Sequence, residues 1–390
     1  MSLKDRSLKD KKVLVRVDFN VPMENGKVKD VSRITASLPT IEYLIDQGAK
    51  VILLSHLGRP KGKPVQELSL APVAEVLAEK LGKPVSFLQS DQVVDENVKE
   101  KVSTLSSGEV ALLENTRFRP EEEKNDPTFA KELASLGEFF INDAFGTSHR
   151  AHVSNVGLGT LLPCDLGFLV QKEVDTLGEI LDNPDRPFIG ILGGAKVSDK
   201  IGVIDNLLNK VDKLIIVGAM AYTFLRAKGI DTGISLVEED KIDLAKKLLE
   251  KAEKLKVPLY LPVDFVVAKD FEGTGKEIID ANSFPKDKEG LDIGPKSLEL
   301  FTDILKDGKT VFWNGPAGVF EKEDFAKGTY GLAKVLANLD GTTVIGGGDS
   351  SRAVTQMGLD TAMTHISTGG GASLEFMEGK TLPGVAIVEE

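Results

Sequence analysis

The 390-residue sequence is short of several things, and each shortage excludes a class of protein. It has one cysteine, Cys164, so an internal disulfide is impossible, and so is any Cys₂ or Cys₄ metal site. No uncharged apolar run reaches the length of about 18 residues that a membrane-spanning helix needs. Positive charge is scarce: 48 Lys and Arg stand against 60 Asp and Glu, a net charge of −12. A chain that acidic binds nucleic acid or anionic membrane poorly. The first residues are charged and show no apolar core of a signal peptide. These absences lead us to expect a cytoplasmic protein. Several catalytic signatures are missing too. There is no G-x-x-x-x-G-K-[ST], since Asp270 stands where Gly275-Lys276 would need its first glycine. No G-x-G-x-x-G follows the first apolar run, and neither G-x-S-x-G nor H-E-x-x-H occurs.

What is present is an alternation of short apolar runs and longer amphipathic stretches. Val13–Val17, Val51–Leu54, Glu109–Leu113 and Phe139–Ile141 read as strands in the first part. Phe188–Leu192, Leu214–Val217, Leu259–Leu261, Thr310–Trp313 and Thr342–Ile345 repeat the pattern in the second. Continuous apolar strands separated by helices predict an α/β protein with parallel sheets covered on both faces. Helical spacing over Asp165–Leu181, stopped by Asn183-Pro184 and Arg186-Pro187, predicts a helix joining two halves. Glu121–Asp126 reads as a solvated charged loop without chemistry.

Charge is unevenly spread. Up to Val170 there are 22 Lys and Arg against 24 Asp and Glu; beyond it the counts are 26 and 36. In parallel sheets, ligands bind beyond the carboxyl ends of the strands. There the first part places Asp18 and Asn20, His56 and Arg59, Arg117, and His149 with Arg150, with Arg33 opening the next helix. Guanidinium forks suit phosphate and carboxylate, so this edge predicts a site for a small, highly charged anion. The second part follows its strands with glycine: Gly193-Gly194, Gly218, Gly315, Gly346-Gly347-Gly348 and Gly369-Gly370-Gly371. Such loops make tight turns, but several together before helix N-termini predict a nucleotide-phosphate site. On residues alone, a two-domain dehydrogenase and a non-catalytic anion-binding scaffold remain alternatives. The first lacks its dinucleotide fingerprint; the second leaves Lys196 and the Gly-Gly-Asp-Ser turn unexplained. Fluorescence of Trp313, beside Asn314, offers a discriminator between ADP and NADH.

Seven motifs, in order along the chain, resemble those of the phosphoglycerate kinase family. They are Arg16-Val-Asp-Phe-Asn-Val-Pro22, Ser55-His-Leu-Gly-Arg-Pro60, Phe145-Gly-Thr-Ser-His-Arg-Ala-His152 and Gly193-Gly-Ala-Lys-Val-Ser-Asp-Lys200, then Trp313-Asn-Gly-Pro-Ala-Gly-Val-Phe320, Gly346-Gly-Gly-Asp349 and Ser367-Thr-Gly-Gly-Gly-Ala-Ser373. The resemblance implies two Rossmann-like three-layer α/β/α domains with mainly parallel sheets, joined by a helical hinge. Residues 1–168 with a returning tail, 374–390, would bind 3-phosphoglycerate or 1,3-bisphosphoglycerate. The hinge would be 169–186, and 187–373 would bind ADP or ATP with Mg²⁺. The resemblance implies a monomer acting on these small molecules only.

Residue by residue, it implies that Asp18, Phe19 and Asn20 hold the substrate's hydroxyl and carboxyl end. His56, Leu57, Gly58, Arg59, Arg117 and Arg150 would surround the phosphate that is not transferred. Arg33 would stand beside the reacting carboxyl, and Lys196 on the transferred phosphoryl with Gly370 and Gly371. Lys200 and Asn314 would contact nucleotide phosphates. Asp349 would take the metal, with Gly347, Gly348 and Ser350 as neighbours. Gly218, Ala219, Gly290, Leu291, Pro316 and Glu321 would form the base and ribose pocket, Glu321 on the ribose hydroxyls. The run Val217-Gly218-Ala219 departs from a family pattern that often has three glycines, and the extra methyl is expected to narrow the adenine pocket.

Overall fold

Along the strand Lys12–Arg16, Val13 and Val15 point into one apolar cluster and Leu14 into another. Lys50–Leu54 does the same, with Val51 and Leu53 on one side and Ile52 and Leu54 on the other. This period of two explains why the runs are apolar throughout: both faces of the sheet are covered. Ile34, Ile41 and Leu44 of helix Ser32–Asp46 and Val73 and Leu77 of helix Ala71–Leu81 fill the first cluster. Val98 and Val102 of helix Glu96–Ser103 and Phe129 and Leu133 of helix Pro127–Ala134 fill the second. Cutting one of these wholly buried leucines to alanine costs about 2–5 kcal/mol.

The computed structural model describes residues 2–388 and divides the chain into two units. The first runs to Asp175 and takes in the tail from Thr381; the second is Thr176–Lys380. The sheet of the first unit has six parallel strands in the order Val85–Leu88, Val110–Leu113, Lys50–Leu54, Lys12–Arg16, Phe139–Asn142 and Cys164–Leu166. The second unit's main sheet, also parallel, runs Leu259–Tyr260, Lys213–Ile216, Phe188–Leu192, Thr310–Asn314, Thr342–Gly346 and His365–Ile366. An antiparallel sheet of Glu277–Asp280, Asp264–Ala268 and Glu289–Ile293 adjoins it. The α/β class with mainly parallel sheets is thus the one its strands predict.

Two details differ from the expectation. The connecting helix is Phe168–Asp182, because Cys164–Leu166 pairs as an edge strand with Phe139–Asn142 and Asp165 is tied to Arg6 at 2.7 and 2.9 Å. The division between units, after Asp175, lies within the range 169–186, while the returning tail starts at Thr381 instead of Leu374. The reason is that helix Gly370–Met377 packs on helix Ile201–Leu207, where Asn206 Nδ2 donates to the Met377 carbonyl at 2.8 Å. The tail itself is fixed to the first unit. Asn142 Nδ2 donates to the Gly384 carbonyl at 2.7 Å, and Gly384 N–H donates to the Ser148 carbonyl at 2.8 Å.

Candidate functional site

The strands of the first unit end together because their register is flush: Arg16 pairs with both Leu54 and Asn142. Each following loop therefore leaves the sheet at one edge, and the charged residues behind the apolar runs collect there. Arg33, in the first turn of helix Ser32–Asp46, donates from Nη1 to Asp18 Oδ1 at 3.1 Å and to the Asn20 carbonyl at 2.8 Å. Asn20 Oδ1 accepts from Gly58 N–H at 2.8 Å, and Arg117 Nη1 donates to the Gly58 carbonyl at 3.1 Å. Three loops and the start of that helix are thereby laced into one surface. Burial pushes the Arg117 guanidinium below its ordinary pKa, and Arg150 and Arg59 add to this by repulsion. Such crowding of like charge is relieved when an anion binds. Arg59 and Arg150 are exposed; Phe19 and Leu57 are buried in the core and offer only main-chain atoms to a ligand.

Behind this surface lies a buried polar chain that the sequence reading missed. Arg16, wholly buried, sits 2.8 Å from His56 Nδ1 and donates from Nε to Ser154 Oγ at 2.8 Å. Ser154 donates its hydroxyl to Glu122, which also accepts from Ser154 N–H at 3.2 Å. Glu121–Asp126 is therefore not the solvated loop expected of it, because Glu122 is fully buried. It turns inward as the counter-charge of Arg16, whose attraction opposes the upward push that burial gives its carboxyl. The signal in the sequence was Arg16 itself, a charge inside an apolar strand. Burial, then Arg16, Arg117, His152 and Arg33, hold His56 well below its ordinary pKa, so the imidazole is neutral. His152 is driven down to about 4 by burial and by Arg117, Arg16 and Arg150.

In the second unit Leu192 pairs with Ile216 and with Asn314, and Asn314 with Gly346, so these strand ends are flush as well. Their glycines pack backbone on backbone. Gly218 has φ +72°, and a Cβ there would lie 2.5 Å from Gly194 N; at Gly315, φ +99°, it would lie 2.3 Å from the Gly193 carbonyl. These glycines thus serve the close approach of the loops. Ser350 helps: its hydroxyl accepts from Gly315 N–H at 3.0 Å and donates to the Gly346 carbonyl at 2.7 Å.

Beyond the loops lies a cavity of about 220 Å³, lined among others by Gly218, Ala219, Gly290, Leu291, Pro316 and Glu321. Tyr222 and Asp349 also border it. Lys200 Nζ donates to Asn314, at its side-chain oxygen and at its carbonyl, and burial lowers its pKa to about 8. Lys196 is exposed. Helix Gly370–Met377 begins beside Gly347 and Gly348: a Cβ on Gly370 would lie 3.3 Å from Gly348 N, while Gly348 faces open space. Two helix N-termini therefore present free N–H groups together. Trp313 is wholly buried and its Nε1 donates to the Gly315 carbonyl at 2.7 Å, so it can report the site only through that loop.

Among the described residues no three His, Cys, Asp or Glu side chains converge as a metal set. Asp349, in the first turn of helix Gly348–Gln356, fits an ion such as Mg²⁺ that is held largely by phosphate oxygens.

The phosphoglycerate kinase family model matches residues 3–380. The phosphoglycerate kinase of Finegoldia magna is 56% identical over 390 residues, covering 100% of this chain and 99% of its own length. That of Clostridium tetani is 56% identical over 391 residues, covering 100% and 98%. The solved phosphoglycerate kinase structure from Coxiella burnetii matches with a TM-score of 0.90 at 40% identity, covering 100% of this chain and 98% of its own. The one from Pyrococcus horikoshii OT3 matches at 0.87 and 36%, with the same coverage. The chain belongs to the phosphoglycerate kinase family.

Proposed function

We propose that the protein transfers a phosphoryl group reversibly between 1,3-bisphosphoglycerate and ADP, giving 3-phosphoglycerate and ATP, with Mg²⁺. The observation that carries this reading is the laced basic surface of the first unit: Arg33 held by Asp18 and Asn20, and Arg117 held by Gly58, around a neutral His56. Such a surface fits a small molecule with a carboxylate and a phosphate.

The accepting carboxylate is already ionised at pH 7, since carboxyl pKa values lie near about 4. No general base is needed, and a neutral His56 suits that, because it binds without taking a proton. What remains is to align two polyanions and neutralise the group in transit. Arg33 stands at the reacting carboxyl, and its two hydrogen bonds fix it in place. Lys196 and the N–H groups at Gly370 and Gly371 neutralise the transferring phosphoryl. Lys200 with Asn314 binds nucleotide phosphate, and Gly218, Ala219, Gly290, Leu291, Pro316 and Glu321 enclose base and ribose. Bound Mg²⁺ supplies further charge neutralisation, with Asp349 as its protein ligand. Transfer runs in line once the two units close on their ligands, which excludes the water that hydrolyses acyl phosphates. A monomer in the cytoplasm completes the reading; among the described residues no helix is long and apolar enough to cross a membrane.

The test is turnover of ATP and 3-phosphoglycerate, read as NADH oxidation when glyceraldehyde-3-phosphate dehydrogenase reduces the 1,3-bisphosphoglycerate formed. Turnover that needs both substrates and Mg²⁺ is expected. A folded protein that neither turns over nor is thermally stabilised by either ligand refutes the reading.

A further inference from the structure

Helix Gly348–Gln356 carries Asp349 in its first turn and Arg352 three residues on, so the two side chains share a face. Arg352 Nη2 lies 3.1 Å from Asp349 Oδ1 and 2.9 Å from Glu321 Oε1. Its guanidinium carbon stands 4.9 Å from the centre of the buried Phe320 ring. One side chain thus engages both carboxylates that the nucleotide reading uses, the metal ligand and the ribose ligand, and an aromatic face holds it there. Nothing in the reaction assigns it a role.

We propose that Arg352 is a resident counter-cation of this corner: it holds Asp349 and Glu321 together, yields both to a metal–nucleotide complex, and so sets how strongly nucleotide binding depends on metal. The inference rests on the nucleotide reading given above. A guanidinium keeps its charge at any accessible pH and donates in several directions at once, so it can bridge two carboxylates that would otherwise repel. Loading a divalent ion onto Asp349 requires breaking that bridge. Binding a nucleotide without metal leaves the Asp349 end of the bridge in place, and there the same positive charge attracts the phosphates. Removing Arg352 therefore acts with opposite sign in the two cases. Binding with Mg²⁺ gains because a competitor is gone, and binding without it loses because a cation is gone.

The experiment is calorimetric titration of ADP into the full chain, once with Mg²⁺ and once with a chelator. The variants are Arg352→Ala and Arg352→Met, the latter keeping an apolar stem over Phe320, with Arg352→Lys as the charge-retaining control. The ratio of the metal-free Kd to the Kd with Mg²⁺ is expected to rise about three- to ten-fold in the alanine and methionine variants, the size of two exposed ion pairs. The lysine variant should restore a ratio near that of the wild type. A merely structural role moves both constants together and leaves the ratio unchanged. An unchanged or lower ratio in either folded variant overturns the proposal while the nucleotide reading stands. A wild-type chain that binds ADP under neither condition overturns both.

Discussion

The Arg16 guanidinium lies 2.8 Å from His56 Nδ1, and a guanidinium can only donate. Nδ1 must therefore accept, and the ring proton of the neutral imidazole sits on Nε2. His56 is fixed as an uncharged donor, with the tautomer set from behind by a buried charge. Nitrogen-15 chemical shifts should show the Nε2–H tautomer throughout the neutral pH range, with no titration near the ordinary histidine value of about 6.5. A His56 ring that protonates there refutes the assignment. His56→Gln, which keeps a donor, should bind 3-phosphoglycerate more tightly than His56→Ala.

Arg33 is held by Asp18 and Asn20. Preorganised donors act mainly where charge develops, so Arg33→Ala should lower kcat by about 10²–10³-fold and change KM far less. Steady-state kinetics decide. A variant with near-normal kcat and only a raised KM shows that Arg33 merely binds substrate.

Lys200, depressed to about 8 by burial, gives nucleotide binding a pH dependence of defined sign. In the free protein it is charged below that pH and neutral above it. A bound phosphate favours the charged form and raises the pKa. Binding above pH 8 must then take up a proton, and affinity should fall by about tenfold per pH unit, levelling off below. Calorimetry in buffers of different ionisation enthalpy measures the uptake. Lys200→Met should abolish the slope, and a slope unchanged in that variant rules Lys200 out as its source.

Asp143 is buried, accepts from Leu169 N–H at 3.0 Å at the start of helix Phe168–Asp182, and has its carboxyl raised to about 7 by that burial. Its folded pKa exceeds its unfolded value, so the native state binds the extra proton between them. The stability held by the protonated form is fully present below about pH 4 and lost as pH rises to about 7. Asp143→Asn keeps the accepting oxygen and cannot ionise. Its stability relative to wild type should grow across that window, by at most about 1.4 kcal/mol per pH unit in denaturant titrations. A pH-independent difference shows that Asp143 does not titrate there.

The α/β plan was legible because strands covered on both faces must be apolar throughout, as Val51–Leu54 and Phe188–Leu192 are. Where that pressure relaxes, the signal fades. Val85–Leu88 at a sheet edge admits Ser86, and Glu289–Ile293 in the antiparallel sheet carries Glu289 and Asp292. The loops at the strand ends were legible for the opposite reason: charge or glycine directly after an apolar run is abrupt. The supporting groups were not. Glu122 sits in a run of acidic residues, and only its partners in three dimensions distinguish it from Glu121 and Glu123. The bridging of Asp349 and Glu321 by Arg352 is equally silent, since it joins one helix to a distant loop.

The tail from Thr381 bears on biosynthesis. The Asn142 carboxamide and the Ser148 carbonyl, both in the first unit, find Gly384 as a partner, and Ile387 packs against Gly159. Translation delivers that partner only after every residue of the second unit has left the ribosome. A nascent first unit is therefore assembled around an unclosed seam while roughly 200 further residues are added at about 5–20 per second. Chaperones that recognise incomplete surfaces have their longest opportunity at this seam.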